Sequence, residues 1–220
     1  MQWFAKRAPG CNLGSGDSAT EGTAGGKSPD MLSIIIPTLN SERGLVSTLP
    51  VLVPGAMSGL VREVVIADGG STDGTLAIAD GAGCVLLASP APLGQRLHEA
   101  ATAARSPWLM FLRPGTVLDP GWIEDTGRFV EEAEAKGETA PAAVFRRSVP
   151  VGAGAPAVRE ALALLAFGLF GRVGPGQGLV IGIPLYKEMG GHREAADTET
   201  DLLARLGRRR IVMLRSGART

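Results

Sequence analysis

Short apolar runs alternate with segments of helical periodicity from Leu32 onward. The first run, residues 32–37, is continuous and ends at a proline, which is typical of a strand buried on both faces. Strands are predicted at 32–37, 61–67, 83–88, 108–112, 142–149, 179–183 and 210–214, and helices at 41–49, 74–79, 93–105, 121–136, 157–170 and 198–206. This alternation predicts an α/β protein with one Rossmann-like domain, in which a mostly parallel central sheet is flanked by helices.

The same pattern divides the chain into a leader, a domain and a tail. Residues 1–30 lack periodicity and lack the apolar stretch of a signal peptide, so a disordered leader is expected. The domain is predicted over 31–214, followed by a tail at 215–220. Pro50 and Pro54 are expected to end the first helix near residue 49 because proline cannot donate a helical hydrogen bond.

The amino-acid composition limits the partners that the protein can bind and the cellular compartment in which it is expected. The 220 residues carry 22 Lys+Arg and 22 Asp+Glu, so no overall field favours nucleic acid. No apolar run is long enough to cross a bilayer, and contact with a membrane is expected to be peripheral at most, through the arginines after residue 204. Cys11 and Cys84 have no metal-binding spacing, which indicates a protein with reduced cysteines in the cytoplasm. Peripheral contact with the inner membrane is compatible with that location.

Two loops follow the first two predicted strands, at the edge where open parallel sheets bind ligands. The first is Pro37-Thr-Leu-Asn40 and the second is Asp68-Gly-Gly-Ser-Thr-Asp-Gly-Thr75. Asp68 can accept hydrogen bonds from a base or a ribose hydroxyl, and the glycines that follow, Gly69 first, allow a ligand to approach the backbone. Asp73 is expected to cap the next helix.

The two loops together resemble the motifs of the family-2 glycosyltransferases, which have the GT-A fold. The resemblance covers about residues 32–214, and the Asp-Gly-Gly form is similar to a bacterial subgroup of small, single-domain members. It implies transfer of a sugar from a nucleotide-sugar donor to an acceptor hydroxyl. The resemblance does not identify the acceptor, and a lipid-linked acceptor is one of the possibilities. It also implies that Asp68 contacts the nucleobase and that Pro37 and Asn40 line the base pocket.

The sequence departs from the family after the fourth predicted strand. Members usually carry two acidic residues there that hold Mg²⁺ or Mn²⁺ against the diphosphate, but the corresponding residues are Arg113 and Gly115. No metal ligand is therefore predicted, and Asp119 is expected to be a turn residue. Arg113 either supplies the positive charge of the metal, which gives metal-independent transfer, or marks a silent nucleotide-binding or interaction protein.

The second half contains the candidates for a catalytic base. By the resemblance, Glu199 stands where the family has the acid that deprotonates the acceptor, and Asp201 is a second candidate. The same residues suit a helix start capped by Asp197 or Thr198. His192 replaces an aromatic residue and is interpreted as a packing or a proton-transfer residue. A nucleotidyltransferase, the weakest alternative, requires a basic Gly-rich loop after the first strand, and Pro37-Thr-Leu-Asn40 is not one.

Overall fold

The computed structural model describes residues 31–137, 140–148, 174 and 176–220. Within these residues, eight strands form one sheet: β1 (Leu32–Thr38), β2 (Val61–Asp68), β3 (Val85–Ala88), β4 (Trp108–Phe111), β5 (Val117–Leu118), β6 (Ala142–Arg147), β7 (Leu179–Gly182) and β8 (Ile211–Arg219). Six α-helices accompany them: α1 (Glu42–Ser58), α2 (Thr75–Ala82), α3 (Leu93–Ala103), α4 (Trp122–Glu134), α5 (Ile183–Glu188) and α6 (Thr198–Leu206).

The sheet order is β3-β2-β1-β4-β7-β6-β8-β5. The first four strands in that order are parallel, as expected where helices cross over between strands. β7 runs antiparallel between β4 and β6, and β8 lies parallel to β6. The prediction of one α/β domain with a mostly parallel sheet flanked by helices is confirmed.

Apolar side chains on the two faces of the sheet form two cores. α1, α2 and α4 cover one face, with Leu45, Leu52 and Trp122 fully or almost fully buried. α3, α5 and α6 cover the other face, where Leu97 and Leu202 are buried. Both faces of β1 are therefore dry, which explains its continuous apolar sequence.

The prediction that α1 ends near residue 49 is wrong, because the helix continues to Ser58 through Pro50 and Pro54. Both prolines lie on the exposed face, so the carbonyls of residues 46 and 50, which lose their helical donors, remain open to water. The buried stripe of Leu45, Leu49 and Leu52 continues past the first proline and holds the helix on the sheet.

The other differences concern the second half of the chain. The residues after β7 were predicted as strand up to 183, but Ile183 begins α5, a short helix with Pro184 in its first turn. The predicted tail at 215–220 is also wrong for most of its length, because β8 runs to Arg219 and buries residues 216–218. The predicted helix at 157–170 and the predicted leader at 1–30 lie outside the described residues. Among the described helices, none combines the length and the apolar character needed to cross a bilayer.

Candidate functional site

A cavity of about 680 Å³ opens at the carboxyl ends of β1 and β4. Its wall is completed by the start of α3 and by the residues that lead into α6. The lining residues are Pro37, Thr38, Leu39, Ser41, Leu93, Arg96, Leu97, Phe111, Leu112, Arg113, Pro114, His192, Ala196, Asp197, Thr198, Glu199 and Thr220. Of the predicted site residues, Pro37, Arg113 and Glu199 line this cavity, whereas Asn40, Asp68, Gly69 and Asp201 do not.

Asp68 organises the loop after β2. Its side chain is fully buried, and its two oxygens accept hydrogen bonds from the hydroxyls of Thr38 and Ser71 and from the backbone N–H groups of Gly70 and Ser71. Burial alone would raise the pKa of this carboxyl, but the hydrogen bonds from Ser71, Thr38 and Gly70 outweigh it and lower the pKa. Asp68 is therefore a charged loop anchor whose acceptor positions are filled from within the protein.

Asn40 joins the first loop to the second. It adopts a left-handed backbone conformation with φ of 49°, and its side-chain oxygen accepts a hydrogen bond from the Thr72 N–H at 2.9 Å. Its own N–H donates to the Ser71 hydroxyl at 2.8 Å. Asparagine tolerates this backbone region better than most residues because its short side chain bonds locally.

The starts of α1 and α2 are also linked. Asp73 was predicted to cap α2, but the N-cap residue is Gly74. Asp73, one residue earlier, accepts a hydrogen bond from the Thr75 N–H and another from the Glu42 N–H at the start of α1. Glu42 in turn accepts from the Gly74 N–H at 3.1 Å. Each carboxylate thus satisfies a free N–H of the other helix, and the two loops form one unit.

Arg96 is a cavity residue to which the sequence analysis assigned no role. Its guanidinium lies under the loops and donates to the carbonyls of Thr38 and Ala67, at the ends of β1 and β2, at 3.0 and 2.7 Å. Gly69 has no side chain, and a Cβ there would lie 2.8 Å from an Arg96 nitrogen. Arg96 is 9% exposed, and no described carboxylate forms an ion pair with it. Periodicity predicted the helix, but nothing in the sequence alone shows that this arginine reaches the strand ends.

Arg113 and Glu199 meet in the cavity although 86 positions separate them in the chain. The Arg113 Nε lies 2.8 Å from a Glu199 carboxylate oxygen, and its Nη2 lies 3.5 Å from the carboxylate of Asp197. The second Glu199 oxygen accepts a hydrogen bond from the Gly176 N–H at 3.0 Å. The arginine after β4 therefore faces the acids at the start of α6 across the cavity.

Asp197 and Asp201 have other roles. Asp197 caps α6 by accepting from the Thr200 N–H, as the helix-start interpretation predicted. Burial would raise the pKa of Asp197, but the hydrogen bonds from Thr200 and the charge of Arg113 lower it overall. Asp201 forms an ion pair with Arg205 at 2.7 Å and lies outside the cavity lining. The geometry thus separates the two candidate bases and leaves Glu199 in the cavity.

The residues after β4 do not fit the divalent metal that the resemblance implies. Arg113 carries a positive charge into the position of one carboxylate, and Gly115 has no ligating atom. Asp119 accepts hydrogen bonds from the Ser148 hydroxyl and the Gly217 N–H, so it holds β8 rather than facing the cavity. No cluster of three or more potential metal ligands occurs among the described residues.

His192 lines the cavity and contacts Phe111, which also lines it, and Tyr186, which does not. The His192 ring packs edge-on against Phe111 at 4.5 Å between ring centroids, and its Nδ1 lies 3.1 Å from the Tyr186 hydroxyl. Burial, with the nearby positive charge of Arg205, lowers the pKa of His192 to about 4. His192 is thus a packed, neutral residue that borders the cavity, which matches the packing interpretation.

Comparisons with known proteins identify the family and the fold. The family model of glycosyl transferase family 2 matches residues 33–150, more than half of the chain. No curated protein sequence matches. Two solved structures share the fold: S. aureus TarS in complex with UDP-GlcNAc, and glucosyl-3-phosphoglycerate synthase from Mycobacterium tuberculosis in complex with Mn²⁺, UDP and glucosyl-3-phosphoglycerate.

The similarity to both structures is one of fold rather than of close sequence. The TarS fragment, residues 1–349 of that protein, is 18% identical with a TM-score of 0.64, and the alignment covers 86% of this chain and 58% of the fragment. The synthase is 20% identical with a TM-score of 0.56, over 88% of this chain and 75% of the synthase. The chain therefore spans little more than half of the TarS 1–349 fragment and 36% of the longer TarS chain. The family match confirms the resemblance of the two loops, and the chain belongs to glycosyl transferase family 2.

Proposed function

We propose that this protein transfers a sugar from a nucleotide sugar to an acceptor hydroxyl without a divalent metal. The observation that supports this most directly is the meeting of Arg113 and Glu199 in the cavity at the strand ends. Arg113 occupies a position where the family has a metal-binding carboxylate, and a guanidinium bonds diphosphate oxygens through two donors.

The proposal assigns a role to each side of the cavity. Arg96 and Arg113 face the phosphates, and Pro37 and Thr38 border the nucleoside. Asn40, Asp68 and Gly69 act on the donor through the loop that they shape. TarS and the synthase were solved with uridine nucleotides, so a UDP-sugar is the first donor to test. The same proposal includes a cytoplasmic location. It is supported by the two cysteines, which form no C-x-x-C motif and have no metal-binding spacing.

In the reaction, the acceptor oxygen forms a bond to the anomeric carbon and the bond from that carbon to the diphosphate breaks. The acceptor proton passes to Glu199, and Arg113 stabilises the negative charge that develops on the leaving diphosphate. In the free protein Arg113 forms an ion pair with Glu199, so the diphosphate must replace Glu199 as the partner of Arg113. Donor binding thus frees the Glu199 oxygen that accepts the proton.

A silent nucleotide-binding protein is the second candidate, and one observation favours it. Both Glu199 oxygens are already engaged, one by Arg113 and one by the Gly176 N–H. A protein that had lost activity would keep this ion pair as a structural contact, and it would bind the nucleotide without turnover.

Calorimetric titration in EDTA of the wild type and Arg113→Gln with UDP, GDP, dTDP and the matching nucleosides tests the phosphate role. Arg113→Gln should weaken nucleotide binding by roughly tenfold or more, the range for a charged hydrogen bond, and leave nucleoside binding unchanged. Arg128→Gln is the matched control because Arg128 lies on α4 and pairs with Glu124, away from the cavity. Nucleotide binding that requires Mn²⁺, or that Arg113→Gln leaves intact, would contradict the proposal.

Release of the nucleotide from UDP-glucose and UDP-GlcNAc separates the transferase from the silent protein. The transferase releases UDP, and Glu199→Gln stops this release while it tightens UDP binding, since Arg113 loses its competing acid. The double variant Arg113→Gln/Glu199→Gln should not show the gain in UDP affinity. Binding without release by the wild type under all conditions would favour the silent protein.

A further inference from the structure

His192 is buried in the cavity wall, and no described residue supplies a hydrogen-bond partner to one of its ring nitrogens. It is 4% exposed, and its Nδ1 lies beside the Tyr186 hydroxyl at 3.1 Å. Among the described residues, no hydrogen bond engages its Nε2, and the residue lines the cavity. Nε2 is not among the fully buried unpaired side-chain atoms of the described residues, so it is accessible from the cavity, where a ligand oxygen can accept its hydrogen bond.

The Tyr186 hydroxyl determines which ring nitrogen of His192 carries the proton. This hydroxyl is buried and accepts a hydrogen bond from the His192 backbone N–H at 3.1 Å. Its single proton has no other acceptor among the described residues than Nδ1. If Nδ1 carried the proton, the hydroxyl would accept twice and leave its own proton unpaired, at the cost of a buried unsatisfied donor. The hydrogen-bond geometry therefore favours the tautomer with the proton on Nε2.

We propose that His192 is a specificity-determining residue whose Nε2–H donates a hydrogen bond to an uncharged oxygen, a hydroxyl or a carbonyl, of the donor sugar. Tyr186 is the positioning residue that holds this tautomer. The proposal rests on the proposed function and adds to it the recognition of the sugar.

The sugar is the part of the donor that fits this place. His192 packs on Phe111, and Arg113 follows Phe111 by two residues. A diphosphate held at Arg113 would place the attached sugar next along the same wall. The cavity is also lined by the apolar Leu97 and by Phe111, which packs on His192, and its arginines are left to the phosphates.

The protonation states of the pair support a permanent neutral donor. Burial raises the pKa of Tyr186 to about 12, so the hydroxyl keeps its proton. Burial and Arg205 lower the pKa of His192 to about 4, so the ring is neutral near pH 7. A neutral N–H donor does not select a charged group over a sugar oxygen. When a ligand lacks that oxygen, Nε2–H is left without an acceptor, and this cost lowers the affinity for such a ligand.

Nitrogen NMR of histidine-labelled protein tests the tautomer without any ligand. The chain has two histidines, so the spectrum of His98→Gln assigns His192. We expect the Nε2–H tautomer from pH 6 to 8 and a mixture of tautomers in Tyr186→Phe. A wild-type signal for Nδ1–H would overturn the proposal whatever the protein binds.

Titration of UDP against UDP-glucose and UDP-GlcNAc tests the recognition of the sugar. His192→Phe should weaken binding of the nucleotide sugars about five- to tenfold, the range for one neutral hydrogen bond, and leave UDP unchanged. His192→Gln, whose amide nitrogen can occupy the place of Nε2, should keep most of the affinity, and thermal unfolding checks that both variants fold.

The two proposals fail in different ways. Equal affinities of wild type and His192→Phe for the nucleotide sugars would overturn the role of His192 alone. The absence of any nucleotide binding in the wild type would overturn the proposed function, and the role of His192 with it.

Discussion

Asp68 illustrates how one residue can support a site that it does not border. Its carboxylate holds four hydrogen bonds within the protein, from Thr38, Gly70 and Ser71. The family resemblance implies that this carboxylate contacts the nucleobase directly. The geometry suggests an indirect route, through the conformation of the loop.

Replacement of Asp68 by asparagine should therefore lower stability and binding together. The asparagine oxygen can still accept from the N–H groups of Gly70 and Ser71, but its NH2 then replaces the oxygen that accepts from the Thr38 and Ser71 hydroxyls, and the charge is lost. We therefore expect a loss of about 2 to 3 kcal/mol in the free energy of unfolding. UDP and uridine should lose affinity by the same factor. Urea unfolding and calorimetry measure the two effects, with Asp80→Asn on the exposed side of α2 as the control. A loss of UDP binding at unchanged stability would instead place the carboxylate on the ligand.

At the candidate base, Glu199 and Asp201 should differ sharply. Glu199 lies in the cavity, whereas Asp201 is bound to Arg205 outside it. Glu199→Gln should lower kcat for nucleotide release by roughly 10² to 10⁴, the usual contribution of a general base. Asp201→Asn removes a partly exposed ion pair and should change kcat less than about threefold, because such pairs contribute under about 1 kcal/mol. A larger effect at Asp201 than at Glu199 would reverse the assignment.

At the scale of elements, the contact between α1 and α4 depends on a glycine. A Cβ on Gly55 would lie 2.5 Å from the fully buried Trp122 ring and 2.9 Å from Val61. Gly55→Ala should destabilise the protein by about 1 to 2 kcal/mol, since overpacking costs more than the helix gains from alanine. Gly127→Ala in α4 meets no atom within 4 Å and should stabilise by about 0.5 to 1 kcal/mol. Thermal unfolding of the two variants should give shifts of opposite sign.

Most elements follow from local pattern, and the differences have local causes too. The apolar runs predict the core strands because these strands are buried on both faces. Pro50 and Pro54 misled the prediction of α1 because the pattern does not show which proline faces water. β8 was predicted too short because its second half, with Ser216 and Gly217 buried, has no apolar run.

Part of the candidate site can likewise be predicted from the sequence, and part of it cannot. Motif spacing indicates the loops at Pro37 and Asp68 because those residues lie near in sequence to strand ends. The pairing of Arg113 with Glu199 and the reach of Arg96 depend on tertiary structure, since the chain segments that meet are 86 and 58 positions apart. A single sequence contains no signal for such distances.

At the scale of the whole molecule, the buried His192 should make stability depend on pH. Burial and Arg205, with a smaller contribution from His98, lower its pKa from 6.5 to about 4, while Asp201 opposes the shift. Between these values the unfolded chain binds more protons than the folded protein, so stability falls as the pH drops from about 6.5 to 4.

His192→Gln should remove this part of the pH dependence. The difference between wild type and variant in the free energy of unfolding should change by up to about 3 kcal/mol between pH 7 and pH 4. Urea unfolding at a series of pH values measures it, and His98→Gln, which removes only the smaller contribution of the exposed His98, should keep most of the pH dependence. Parallel pH profiles for wild type and His192→Gln would show that the folded protein protonates His192 as easily as the unfolded chain does.

The position of β7 between β4 and β6 has a consequence for how the chain folds as it is synthesised. The ribosome makes β6 before β7, yet β6 joins the first four strands only through β7. Until residue 182 has left the exit tunnel, β4 presents an open apolar edge, a template for pairing with another nascent chain. A chain cut near residue 150, where the family match ends, should therefore aggregate, and this first part should become soluble only when the second half is supplied.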